Sequence, residues 1–472
     1  MSAQAPALTA VADAPLEVDL LIAGATLITL NAAREVIADG ALAISGERIA
    51  AVGKRADLER RVRAKETLDG RRFVATPGFV DAHIHITGDP LTRGFARGGP
   101  DVSWSDKLMK WVIPIFRAQT PDDERIAAQC AALAMIRYGT TTFVEAGTVS
   151  HLDAVMDGLA ETGIRGRVGE WVEGRARGEE DPAAVSAAAI AVLESELDRY
   201  PEDGGRLAAW PILVGHSTNS DDVWRAAKRL ADERGVRVTA HMSPRSGDPE
   251  WYLANTGRRP VEHLEHIGAL GENVALTHLA DIDRGELAAL QRTGTHAIHC
   301  AHAAFQGGFG LSQAGLFPEM IEAGVNVMLG TDGVAADILS SARLMGSVFR
   351  DARKDQELFP PGLMLELATL NGAEGLGLAR DIGSLEAGKK ADVVLHDTDL
   401  PEWGPVFDPV AQLAISAPPA GVHSVWIDGV RLLDAGRSTV LDEARLLADA
   451  RQAGAALIAR TKLPNRTAWP LV

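Results

Sequence analysis

Four strand-like runs, far apart in the chain, each end on side chains able to hold a metal ion. Pro77-Gly-Phe-Val-Asp-Ala-His-Ile-His85 ends on two histidines, Val-Thr-Ala-His241 and Ala-Leu-Thr-His278 on one each, and Val327-Met-Leu-Gly-Thr-Asp332 on an aspartate. Side chains at the ends of separate strands meet only if the strands run parallel around a common axis. That requirement selects an α/β barrel ahead of other folds.

The stretch from 76 to 385 carries the alternation such a barrel needs. Trp210-Pro-Ile-Leu-Val214 reads as a strand and Ser220-Asp-Asp as a helix start. Val223, Ala227, Leu230 and Ala231 make one apolar helix face, Gly235 ends it, and Val236-Arg-Val-Thr-Ala240 is the next strand. The predicted architecture is a (β/α)8 TIM-like barrel over 76–385. Short apolar runs punctuated by glycine recur in 18–75 and return in 386–440, where Asp428-Gly429 is a hairpin dipeptide. Both chain ends therefore build one small β-sandwich domain. Residues 1–17 are expected to be a flexible leader, and 441–472 a C-terminal helix and tail.

The charge balance is 47 basic against 64 acidic residues, a net charge of −17 spread along the chain. It argues against a nucleic-acid or anionic membrane partner and for a small-molecule substrate. Only Cys130 and Cys300 are present, so no disulfide framework or thiolate motif exists. The expected compartment is the cytoplasm.

His83 and His85 lie on one side of an extended strand, because strand side chains alternate. His241 and Asp332 at other strand ends complete a His3Asp set, suited to one divalent ion: Zn foremost, with Co, Mn or Fe as alternatives. The run before Asp332 is too apolar to solvate a carboxylate, so a cation or hydrogen-bond donors must compensate it. A water on such an ion ionises near neutral pH, and Asp332 is placed to take its proton.

These motifs, with Tyr138-Gly-Thr-Thr-Thr, Arg259-Pro-Val-Glu-His-Leu, His299-Cys300, Leu329-Gly-Thr-Asp-Gly, Thr369-Leu-Asn-Gly-Ala and Gly383-Ser-Leu-Glu-Ala-Gly-Lys-Lys-Ala-Asp-Val-Val, resemble the amidohydrolase superfamily from Ile22 to Leu432. The pattern is most similar to the branch of s-triazine hydrolases, cytosine and guanine deaminases and methylthioadenosine deaminase. The resemblance implies one metal on His83, His85, His241 and Asp332, and His278 as the group that polarises substrate or steadies the attacking water. It implies a substrate-contacting histidine at His216, and a homo-oligomer.

The chain departs from that branch at two places. Where the deaminases read His-x-x-Glu, this chain reads His241-Met-Ser-Pro244, so the usual proton shuttle is missing. The His-Cys-Pro-x-Ser-Asn motif becomes His299-Cys-Ala-His-Ala-Ala304 and introduces His302. The expected chemistry is therefore cleavage of a C–N or C–S bond at the carbonyl carbon of an amide, urea, carbamate or thiocarbamate, similar to phenylurea and molinate hydrolases. The alternative is an aminohydrolase or dehalogenase acting on a triazine, purine or pyrimidine, with His302 or Asn219 replacing the glutamate; a catalytically silent barrel ranks below both. No lysine lies between Lys110 and Lys228 to bridge a second metal, which leaves Glu145, Glu170 and Glu173 as the carboxylates able to do so. Trp104, Trp111, Trp171 and Phe309 are candidates for the wall of an apolar pocket, but most aromatics are core and these read first that way.

Overall fold

The computed structural model describes residues 15–95, 104–311, 315–333, 335–465 and 469. Five strands precede the barrel: β1 (Leu16–Ile28), β2 (Val36–Ser45), β3 (Arg48–Lys54), β4 (Val62–Asp69) and β5 (Phe73–Pro77). The barrel strands are β6 (Phe79–Ile84), β7 (Thr140–Glu145), β8 (Arg165–Val168), β9 (Leu207–Ala209), β10 (Ile212–Gly215), β11 (Val238–Met242), β12 (Val274–His278), β13 (His296–His299) and β14 (Val327–Leu329). Four more follow: β15 (Val393–Asp397), β16 (Val422–Ile427), β17 (Val430–Asp434) and β18 (Arg437–Ser438).

All neighbouring barrel strands pair in parallel, in the orders β6-β7-β8-β9 and β10-β11-β12-β13-β14. β9 and β10 are one strand interrupted at Trp210-Pro211, which makes eight in all. The two arcs join where Val172 bridges Leu213 and where the Asp332 amide donates to the His83 carbonyl at 2.9 Å. A metal-ligand candidate thus closes the barrel seam.

The helix after β10 begins and ends as its sequence predicts. Ser220 caps Asp221–Arg234 by accepting from the Val223 amide, and Gly235 leaves the helix in the left-handed region. The Ala-rich stretch forms the outer helix Pro182–Arg199.

The strands from both chain ends form one nine-stranded sheet in the order β18-β17-β16-β15-β5-β1-β2-β3, with β4 alongside β1. Leu20, Ile22, Leu42, Val393, Leu395 and Trp426, from the two ends of the chain, share one core. Asp428 and Gly429, both at positive φ, make the two-residue turn between β16 and β17.

β1 starts at Leu16, so Leu16 and Glu17 are strand residues and not leader; residues 1–14 lie outside the described residues. The segment 18–75 also contains a helix, Arg55–Arg61, which its strand-like pattern did not suggest. Beyond β18 a helix spans Glu443–Thr461. Among the described residues no helix is long and apolar enough to cross a membrane.

Candidate metal centre

At the C-terminal ends of β6, β11, β12 and β14 the imidazoles converge. Ring centroids of His83 and His241 are 4.7 Å apart, of His83 and His85 5.3 Å, of His85 and His241 5.4 Å, and of His241 and His278 5.5 Å. One potential ligand atom from each of His83, His85, His241 and Asp332 lies within 4.8 Å of all the others. The Asp332 carboxylate approaches His85 Nε2 at 2.9 Å, His83 Nε2 at 3.6 Å and His278 Nε2 at 3.9 Å.

Two of these rings are aimed by hydrogen bonds on their far side. His83 Nδ1 pairs with Thr277 Oγ1 at 2.9 Å, and His241 Nδ1 with the Val214 carbonyl at 2.9 Å. Each leaves Nε2 facing the cluster, the orientation in which metal-binding histidines are held. His83 Nε2 is buried and has no hydrogen-bond partner. A buried nitrogen left unsatisfied among other imidazoles and a carboxylate fits a bound cation. The donor set fits a divalent ion.

Protonation states agree. Burial drives His83 down, His241 well below its usual value and His278 to about 3, so these rings are neutral at pH 7 and able to ligate. Burial alone would raise Asp332, but the histidine contacts hold it well below the usual carboxylate range. Beneath it, buried Asp81 accepts from the His83 and Thr331 amides and from Thr331 Oγ1, pinning the ligand-bearing ends of β6 and β14 together.

The backbone is bent to make this arrangement. His216, Ser243, His278 and Asp332 all have positive φ, of 51°, 49°, 81° and 57°. Side chains other than glycine rarely adopt that region, and strain of this kind concentrates at functional sites. Gly215, at φ 79°, has no room for a Cβ because the His241 backbone lies against it.

His216 belongs to the cluster: its ring stacks on His241 at 5.5 Å, and its Nδ1 meets Asp248 Oδ2 at 2.7 Å. Asp248 also accepts from the Ser243 amide at 2.7 Å. The sequence reading missed Asp248, which lies 32 residues away on another segment and carries no motif. It missed Thr277 as well, although Thr277 directly precedes His278 at the end of β12. Cys300 was seen only as part of a motif; its thiol groups with His278 and Asp332.

Other expected site residues stand elsewhere. The Asn219 amide is consumed by backbone: Oδ1 accepts from the Gly215 amide and Nδ2 donates to the Val172 carbonyl, in full burial. It locks the loop after β10 and is fully buried there. His302 pairs with Ser340 Oγ at 3.0 Å, on the helix after β13 and outside the group of potential ligands. The carboxylates weighed as metal bridges are engaged too. Glu145 accepts from Thr148 Oγ1 and the Gly147 and Thr148 amides, Glu170 pairs with Arg199, and Glu173 accepts from Trp171 Nε1 and Arg177.

Aromatic rings flank the cluster. Phe116 lies 6.3 Å from His85 and 6.1 Å from Trp171, and Phe309 stands edge-on to His278 at 5.6 Å. Phe309 and Phe116 therefore border the histidine cluster, and Trp171 stands behind Phe116; the side chain of Trp104 lies outside the described residues.

Residues 74–432 match the amidohydrolase family. The chain belongs to that family. A 5-methylthioadenosine/S-adenosylhomocysteine deaminase of Syntrophobacter fumaroxidans is 30% identical over 91% of this amidohydrolase and 98% of its own length. An adenosine deaminase from Xanthomonas campestris, solved with bound zinc, superposes with a TM-score of 0.85 at 25% identity, covering 94% of this chain and 100% of that one. The zinc complex of an atrazine chlorohydrolase from Arthrobacter aurescens gives a TM-score of 0.82 at 24% identity, covering 92% and 100%. This amidohydrolase is thus a hydrolase with a His3Asp metal-binding site, in a barrel whose architecture those proteins share.

Proposed function

We propose that the chain is a mononuclear, zinc-dependent hydrolase that cleaves a C–N bond at the carbonyl carbon of a small amide, urea or carbamate. When bound, the ion supplies a Lewis acid and acidifies a water to near neutrality. His83, His85, His241 and Asp332 would hold it. Asp332 Oδ2, on the His278 side of the carboxylate, takes the proton of the attacking water. His278, neutral and buried, donates through its ring N–H to the oxygen on which charge develops.

The observation that carries this reading is the His216–Asp248 pair beside Pro244. Deaminases of the resembling branch place a glutamate where Pro244 stands, to protonate a ring nitrogen. Here a proton-carrying group in the cluster is the His216 imidazole, backed by the Asp248 carboxylate at 2.7 Å. Such a pair can hand a proton to a departing amine, as general acids do. An acyl substrate asks for that proton and for no ring-nitrogen acid.

One observation favours a second reading, hydrolytic deamination of a purine-like heterocycle. Phe116 and Phe309 beside the histidines suit a flat ring, and a relative 30% identical is by name a 5-methylthioadenosine/S-adenosylhomocysteine deaminase. A panel of arylureas, thiocarbamates, amides, triazines and purines, run on protein reconstituted separately with Zn, Co, Mn and Fe, separates the two. Amine with carboxylate or CO2 release supports the acyl reading; ammonia release from purines alone replaces it with the second.

A further inference from the structure

Away from the barrel mouth, a cavity of about 760 Å³ opens between the helix Pro121–Arg137, the helix Glu443–Thr461 and the β16–β17 end of the sheet. Its wall carries four arginines, Arg93, Arg137, Arg437 and Arg451, and no aspartate or glutamate. In a chain of net charge −17, four guanidinium groups around one hollow are contrary to the overall balance.

Neighbouring charges do not cancel them. Glu443, just behind the wall, accepts from both Arg137 and Arg437, at 2.5 and 3.1 Å, and its other oxygen is taken by the Ser438 amide. That single carboxylate serves two of the arginines. Arg93 and Arg451 have no ion-pair partner among the described residues. Arg137 Nε is buried with no hydrogen-bond partner. Among the described residues one carboxylate thus faces four guanidinium groups, an excess of three positive charges.

The remaining wall is mostly apolar, with Leu133 on one helix and Leu447 on the other, beside Cys130 and Tyr138. The volume is that of an ordinary small-molecule site, which runs from about 300 to 1,000 Å³. Guanidinium forks match phosphate oxygens two at a time, so an uncompensated cluster of them beside an apolar surface suits a dianionic head on an apolar body. We propose that this cavity binds a small organic phosphate at a site separate from the metal centre.

The site also has a physical route to the barrel mouth. Pro90, Leu91 and Arg93 line the cavity and lie on the segment that directly follows His85. Gly454 of the C-terminal helix packs so closely on the Leu91 carbonyl that a Cβ would not fit.

Calorimetric titration of the full chain with phenyl phosphate, inorganic phosphate and phenol tests the proposal. Phenyl phosphate is expected to bind at least about tenfold tighter than phenol and than inorganic phosphate. The double variant Arg93→Gln with Arg451→Gln should weaken it by about tenfold or more, and Leu447→Trp, which fills the hollow and removes no charge, should do the same. Asp332→Asn, at the metal centre, should leave it unchanged. The proposal is overturned if phenol binds equally well, if Asp332→Asn abolishes binding while the arginine variant retains it, or if the arginine variant instead changes the oligomeric state seen by light scattering.

Discussion

The barrel holds two buried clusters of charged and titratable side chains, and they obey opposite rules. At the base, Arg165 donates to Asp392 and Asp428, Arg206 donates to Asp428 at 2.8 Å, and Lys390 stands 3.4 Å from the same carboxylate. Arg165, Asp392 and Asp428 are each at most 5% exposed, and every charge is answered. At the mouth, His83 Nε2 and His278 Nδ1 are buried without hydrogen-bond partners, and the backbone is strained at four positions. Most buried polar groups in a protein are paired, so unpaired ones set among potential metal ligands call for an explanation. The base cluster joins the barrel to the sheet from the chain ends; the mouth cluster gathers groups able to hold a metal ion. The difference between structural and functional polarity is legible in what each group lacks.

The largest effect should come from the mouth. Asp332→Asn removes the only carboxylate of the ligand set and the proton acceptor together, and should lower kcat by about a thousandfold or more with loss of stoichiometric metal by elemental analysis. Thermal stability of the apoprotein should change little. Retention of both metal and turnover would break the contrast. At the base the pattern should invert: Arg165→Met leaves two buried carboxylates without their main partner and should cost about 3–5 kcal/mol in denaturant unfolding. Metal content of the folded variant should stay at one equivalent. Metal loss from this variant without unfolding would show that the two clusters are coupled.

The same contrast explains what could be read from the chain alone. The barrel, the sheet from both ends and the His3Asp set were legible because period-two alternation and strand-terminal positions fix where His83, His85, His241 and Asp332 must point. Asp428-Gly429 was legible as a turn, but nothing local marked the Asp428 carboxylate as a partner of Arg165, 263 residues away. Asp248 was hidden for the same reason, since a hydrogen bond to His216 depends on the path of an irregular loop. Asn219 misled because an asparagine after a barrel strand serves a loop as readily as a substrate, and only its full burial decides which. Hydrophobic periodicity specifies faces; it does not specify which polar atoms end up paired.

His299 sharpens the comparison from a third position. Both its ring nitrogens are buried without partners, but its neighbours are Phe317 at 4.5 Å and Phe349 at 6.0 Å in place of ligand groups. Burial drives its pKa down to about 3. Between that value and the ordinary 6.5 of an unfolded chain, the unfolded state binds the extra proton, so this histidine costs stability increasingly as pH falls. His299→Phe should therefore outlast the parent in acid, by about 1.4 kcal/mol for each pH unit below 6.5. A difference in unfolding free energy that stays flat between pH 6.5 and 4.5 would show that the ring is not held neutral.

The smallest predicted effect is the most informative about chemistry. Asp248→Asn keeps a hydrogen-bonding side chain opposite His216 Nδ1 and removes the negative charge. Burial opposes protonation of His216, and the adjacent Asp248 carboxylate outweighs it, so the pKa stands above its ordinary value. Loss of the carboxylate should lower it again. A proton donor then deprotonates at lower pH, so the alkaline limb of the kcat profile should move toward acid while kcat falls by about tenfold at neutral pH. KM should hold, because the pair acts on the departing group and not on binding. A purely structural role for Asp248 would lower stability and the amount of active protein but leave the limb where it was, and the proton for the leaving group would then have to come from the Asp332 side of the cluster.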